Sequence, residues 1–107
     1  MPDLHDNAPA FHRFADFYPF YLGEHRNPIC RRLHFIGSWG VIACVLVFAV
    51  TGNVWWLPTA VVCGYAFAWI GHFFFEKNRP ATFRHPIYSL MGDWVMFRDI
   101  CLGRVKL

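Results

Sequence analysis

The chain has 107 residues, of which 56% are hydrophobic and 20% aromatic, while only 16% are charged, against about a quarter in typical soluble domains. Its net charge of +3, from ten Lys and Arg against seven Asp and Glu, is too small an excess to argue for a nucleic-acid partner. Residues 33–75, 43 in a row, contain no Asp, Glu, Lys or Arg, which disfavours a disordered protein, a secreted disulfide scaffold and an ordinary soluble core, and favours a small integral membrane protein.

In chain order, Met1-Pro2-Asp3-Leu4-His5-Asp6 carries acids and no apolar run, so no signal peptide is expected. Residues 1–9 are expected to be a flexible lead into one domain covering 1–107. Between residues 10 and 21, Phe11, Phe14, Tyr18 and Tyr21 recur at helical spacing. That predicts a short amphipathic helix, which Pro19 should interrupt or bend. Asn27-Pro28 reads as an N-cap followed by proline at the first helical position, so a helix should start at Pro28 and continue into the first apolar run. The two runs, about 33–51 and 54–75, are each close to the roughly 20 helical residues that cross a bilayer. Thr51-Gly52-Asn53 between them is a short turn, so the two spans must be antiparallel.

After the spans, Arg79-Pro80 and His85-Pro86 mark a loop. A last helix from Pro86 to about Leu102 places Ile87, Leu90, Met91, Trp94 and Phe97 at helical spacing, while Asp93, Arg98 and Asp99 make it a poor spanning candidate. It should lie on the membrane surface or against the mouth of the hairpin. The expected fold is therefore all-α, an integral membrane helical hairpin flanked by amphipathic interfacial helices. Arg26, Arg31 and Arg32 precede the hairpin and Lys77, Arg79 and Arg84 follow it. This places both termini on the cytoplasmic side. Gly37, Gly40, Gly64 and Gly71 permit close helix approach, and a two-span chain of this size is expected to form homo-oligomers to enclose a site. Cys30, Cys44, Cys63 and Cys101 lie singly and read as reduced packing residues.

The histidines carry the functional signal. His34 opens the first span and His72 closes the second, so an antiparallel hairpin brings them to one end. His25 precedes the Asn27 cap and can fold back to the same place. Glu76 follows His72 by four residues, on the same helical face, and His85 lies in the next loop. Imidazoles with a carboxylate suit Fe(II), Mn(II) or Zn(II), and polar groups at membrane depth tend to mark functional sites. Taken singly, His34 reads equally as an interfacial hydrogen-bonding residue and Glu76 with Arg79 as a surface ion pair. Converging through the topology, the set indicates a metal or catalytic site. His5 and His12 are expected to be solvated, with an interfacial place beside the aromatic stripe as the alternative for His12. No Gly-rich phosphate loop, nucleophile elbow or H-E-x-x-H helix is present.

Two segments carry a family resemblance. The first is Tyr21-Leu22-Gly23-Glu24-His25-Arg26-Asn27-Pro28, continuing through Arg32-Leu33-His34-Phe35-Ile36-Gly37. The second is Gly71-His72-Phe73-Phe74-Phe75-Glu76-Lys77-Asn78-Arg79-Pro80-Ala81. Together they resemble the Mpo1-like (DUF962) family. The resemblance implies a membrane-bound Fe(II)-dependent dioxygenase that shortens 2-hydroxy fatty acids by one carbon, using molecular oxygen and no 2-oxoglutarate. It implies His25, His34 and His72 as iron ligands, with Glu76 or His85 as a further ligand. The acyl chain would lie along the hairpin's apolar groove or in the leaflet, and Arg26, Arg79 or Arg84 would pair with the substrate carboxylate. The alternatives are a non-enzymatic membrane module that binds lipid or a partner helix and, behind it, metal transport or haem contact.

Overall fold

A computed structural model describes residues 11–107. Among these residues the fold is all-α. Helix α1 covers Phe14–Gly23, α2 Pro28–Thr51, α3 Trp56–Ile70 and α4 Pro86–Cys101. Helix α3 continues without a break into a π-helical segment, Gly71–Glu76, and a single 3₁₀ turn, Ala81–Phe83, precedes α4. The expectations for residues 1–9, His5 included, fall outside the described residues.

Local chemistry sets the ends of the hairpin. The Asn27 side chain accepts the Ile29 N–H at 2.8 Å, and Pro28 sits at the first helical position, where a missing N–H leaves nothing unpaired. Helix α2 then runs for 24 residues, about 36 Å at 1.5 Å per residue. It ends at Gly52, whose φ of 69° is a left-handed conformation glycine adopts without a side-chain clash. The Thr51 hydroxyl turns back to the Val47 carbonyl, and Asn53 Oδ1 accepts the Trp55 N–H at 3.0 Å.

Helices α2 and α3 pack along their length through small residues. A Cβ added at Gly37 would come within 3.0 Å of the Phe67 Cβ. The large apolar side chains of the pair point outward, with Val50 87% and Trp55 73% exposed. Pro28–Thr51 and Trp56–Glu76 are long and apolar enough to cross a membrane, yet only 17% and 22% of their most apolar stretches are buried. The core helix of a soluble protein would be mostly covered.

The opposite end of the hairpin, its base, is closed by α1 and α4. Phe17, Tyr21, Ala81 and Met96 form a buried cluster there. Helix α1 passes through Pro19 without a break; the ring is exposed, and the helix forgoes the one amide that would reach the carbonyl four residues back. Helix α4 lies against the hairpin rather than apart from it, with Phe97 stacked on Phe35 at 5.1 Å and edge-on to Trp39 at 5.3 Å. Its buried face is Ser89, Gly92, Met96 and Asp99, whereas Ile87, Leu90, Met91 and Trp94 are exposed. Gly92 receives the Tyr21 ring so closely that a Cβ would sit 2.8 Å from its Cδ2. All four cysteines are free; Cys30 and Cys44 are buried, whereas Cys101 is exposed and packs less than its predicted role required.

Candidate metal centre

Three elements each contribute one histidine to the base. His25 comes from the loop between α1 and α2, His34 from the second turn of α2, and His72 from the π-helical end of α3. All three are buried, at 1%, 6% and 3% exposure. Their rings meet edge to face, with centroids 4.4 to 4.9 Å apart. One nitrogen from each lies within 4.8 Å of the other two, so the group can hold a metal ion.

The hydrogen bonds on the far side of each ring settle which nitrogens are bare. His25 Nδ1 lies 2.6 Å from the Tyr21 carbonyl and His34 Nδ1 lies 2.9 Å from the Cys30 carbonyl. A carbonyl only accepts, so both Nδ1 atoms carry the proton. His72 Nδ1 lies 2.8 Å from Asn78 Oδ1. The orientation of that amide is fixed because Asn78 Nδ2 donates to the Glu24 carboxylate at 2.6 Å and to the Glu24 carbonyl at 3.1 Å. Each imidazole therefore presents an unprotonated Nε2, and His25 Nε2 and His34 Nε2 are 3.1 Å apart. Two nitrogens bound to one ion at roughly 2.1 Å sit about 3.0 to 3.4 Å apart. Bare lone pairs at this separation repel one another unless a cation lies among them. The donor set fits a metal, and the bonds to carbonyls and to Asn78 are of the kind that orient metal-ligating imidazoles.

The local fold explains how Asn78 reaches its place. After the π-helical turn, Lys77 adopts φ 57°, and the Asn78 N–H closes on the His72 carbonyl at 3.1 Å. Gly71 lies against Cys30, where a Cβ would be 2.9 Å from Sγ. This contact seats the His72 segment directly on the first turn of α2. Arg31 ties down the His25 loop by donating to the carbonyls of His25 and Arg26 at 3.0 and 2.7 Å, and it also reaches the Lys106 carbonyl at 2.7 Å.

Burial, followed by the fields of His34 and His72, pushes the His25 imidazole well below its ordinary value, which keeps it neutral, the form a metal requires. Tyr21 stacks on His25 with centroids 4.0 Å apart, and its hydroxyl donates to Asp93. Burial raises the Tyr21 hydroxyl well above its usual range, and Asp93 adds to the shift. Burial lifts the Asp93 carboxyl to about 7, against the opposing pull of the Tyr21 hydrogen bond.

The other expected site residues are placed elsewhere. Glu76 Oε1 accepts the Asn27 backbone N–H, at the start of α2 beside the cluster. His85 packs on the Phe11, Phe17 and Phe20 rings at 5.3 to 6.2 Å, outside the three-histidine group. Arg26, Arg79 and Arg84 are exposed, and Arg79 lies over the Phe83 ring at 5.7 Å. His12 is exposed, as expected. Sequence reasoning missed Glu24, Asn78, Tyr21 and Asp93 as site residues. Glu24 and Asn78 lie inside the two quoted segments, but neither has spacing that marks a bond across 54 residues.

A family model described as "2-hydroxy-palmitic acid dioxygenase Mpo1-like" matches residues 11–105. No curated protein and no solved structure matches the chain.

Proposed function

Because the chain belongs to the Mpo1-like family, we propose that it is a membrane-embedded, Fe(II)-dependent dioxygenase that shortens 2-hydroxy fatty acids by one carbon. The observation that carries this reading is the convergence of three imidazoles, each with its Nδ1 proton committed to an oxygen and its Nε2 bare. The reaction balances as one 2-hydroxy acid and one dioxygen giving the acid one carbon shorter, carbon dioxide and water. The C1–C2 bond breaks, and the four electrons lost by those carbons reduce the dioxygen. Iron(II) held by His25, His34 and His72 supplies the redox chemistry that lets dioxygen react with a closed-shell substrate.

The chain's own groups do the rest. Three neutral imidazoles leave the full charge of a divalent ion to attract an anionic hydroxy-carboxylate. The Tyr21 and Cys30 carbonyls and Asn78 hold the rings in one tautomer, and burial of all three rings keeps bulk water away. Glu76 steadies the loop that carries His25 through the Asn27 amide. The hairpin crosses the membrane with its base at the cytoplasmic face, where Arg26, Arg79 and Arg84 draw acidic head groups to the interface.

Protein purified anaerobically is expected to hold stoichiometric iron and to consume one dioxygen for each 2-hydroxypalmitate. His72→Ala should lose both properties while still fractionating with membranes. Full oxygen uptake by the purified variant, or wild-type protein that takes up no metal, would sink the assignment; the latter would favour a non-enzymatic lipid-binding module.

A further inference from the structure

An apolar groove of about 500 Å³ runs between α2, α3 and α4, within the range of small-molecule sites. It starts at the metal centre, because His34 is part of its wall. On α2 the wall continues through Ser38 and Val41 to Val45, steps of four, three and four that keep one helical stripe turned to the groove. Ala60, Gly64 and Ala68 face it from α3, and their small side chains leave the space open. His34 and Ser38 on α2 and Asp93 on α4 make one end polar, and Tyr65 adds a phenol from α3. Val45 and Leu57 close the other end.

We propose that this groove holds the alkyl chain of the hydroxy acid, with its head between His34 and Asp93, and that Asp93 selects substrates carrying a 2-hydroxyl. The proposal rests on the dioxygenase reading above and decides between the groove and the open leaflet as the seat of the chain.

Dimensions and chemistry support it. From His34 to Val45 is eleven residues of helix, about 16 Å, roughly half of the 30 Å hydrocarbon core. A single-chain amphiphile with its head at the interface thus fits the groove without leaving its leaflet. A two-chain lipid would bring a second tail and a bulky head group to an end walled by His34 and Asp93. Asp93 Oδ1 already accepts from Tyr21, leaving Oδ2 for a donor in the groove, and a 2-hydroxyl is such a donor where a plain fatty acid has none. A site built to bond a hydroxyl discriminates well against the analogue that lacks it. Asp93 is a specificity residue here, and Tyr21 positions it.

The test uses the iron-loaded full chain in lipid nanodiscs without oxygen, so that binding is read apart from turnover. Palmitate, 2-hydroxypalmitate and 2-hydroxyoctanoate compete against a fluorescent fatty acid. Asp93→Asn keeps an oxygen for Tyr21 but turns an N–H₂ toward the groove, and should lower the preference for 2-hydroxypalmitate over palmitate about tenfold. Val45→Trp, at a half-exposed position that tolerates bulk, should lower the preference for 2-hydroxypalmitate over 2-hydroxyoctanoate by a similar factor. Val62→Trp, on α3 outside the groove lining, should move neither ratio. Unchanged ratios in both groove variants, or a phospholipid displacing the probe as well as the hydroxy acid does, would overturn the proposal. If the ratios shift as expected but 2-hydroxypalmitate drives no oxygen uptake in air, the groove stands and the dioxygenase reading falls. If uptake proceeds and the ratios do not shift, the reverse holds.

Discussion

The far arm of the hairpin and its base are built on opposite rules. Toward the turn, α2 and α3 touch through small residues and present Leu46, Val50, Val54 and Trp55 outward, so the apolar surface is on the outside. At the base, His25, His34, His72, Ser89 and Asp99 are buried, and α4 turns its small and polar face inward. In water this arrangement would be upside down. Where the surroundings are hydrocarbon, outward apolar groups cost nothing, and the interior is free to hold polar groups provided each has a partner. The difference teaches where the molecule is fragile: the arm depends on being apolar, while the base depends on particular atoms meeting.

The sharpest way to test that contrast is Asn78→Ala, which removes the acceptor that orients His72. Loss of such a supporting partner typically weakens metal affinity 10–100-fold, and an equilibrium competition with a metal indicator reads it directly. Asn78→Asp keeps the acceptor oxygen and should recover part of the loss. Equal affinity in all three proteins would mean that the tautomer is held by something else. A packing comparison comes next. Gly71→Ala forces a Cβ to within 2.9 Å of Cys30 Sγ and should destabilise by about 1–3 kcal/mol, whereas Val62→Ala on the exposed face of α3 should stay within about 0.5 kcal/mol. Reversible unfolding in mixed micelles measures both, and similar losses would erase the distinction.

The smallest effect concerns protons. Asp93 titrates near 7 when folded and near 3.9 when unfolded, so the folded base favours its protonated form. Its contribution is complete below about pH 4 and is lost as the pH rises through about 7. Asp99 runs the other way: the Tyr18 hydroxyl, then Arg98, hold it below its usual value, and its contribution disappears in acid. In metal-free protein, the stability difference between wild type and Asp93→Asn should therefore move against wild type from pH 5 to 8. Parallel melting curves across that range would contradict the assignment.

The hairpin could be read from the sequence because its signals are local. A charge-free block, a proline behind an asparagine cap and a three-residue polar break each act within a few residues, and α4 begins at Pro86 for the same reason. The histidine cluster was legible one step further out, since antiparallel spans bring residues 34 and 72 to one end whatever their side chains do. The reading fails where function depends on contacts without local pattern. Asn78 meets Glu24 across 54 residues, and Tyr21 meets Asp93 across 72. His85, read in the next loop as an alternative further ligand, packs on the Phe11, Phe17 and Phe20 rings outside the three-histidine group. Most of the apolar stripe of α4, from Ile87 to Trp94, lies on its outer face, while Ser89, Gly92, Met96 and Asp99 turn inward, so the periodicity of this helix does not say which side is in.

The hold of Arg31 on the carbonyls of His25, Arg26 and Lys106 has a consequence in time. Arg31 can fasten the His25 loop as soon as the first turn of α2 forms, whereas His72 lies 47 residues beyond His25, and synthesis runs from the N-terminus at about 5–20 residues per second. Both helices of the hairpin are thus made before the three imidazoles can meet. Assembly of the three-histidine cluster is therefore a late event: the His25 loop is already shaped and waits for the end of α3 to reach it.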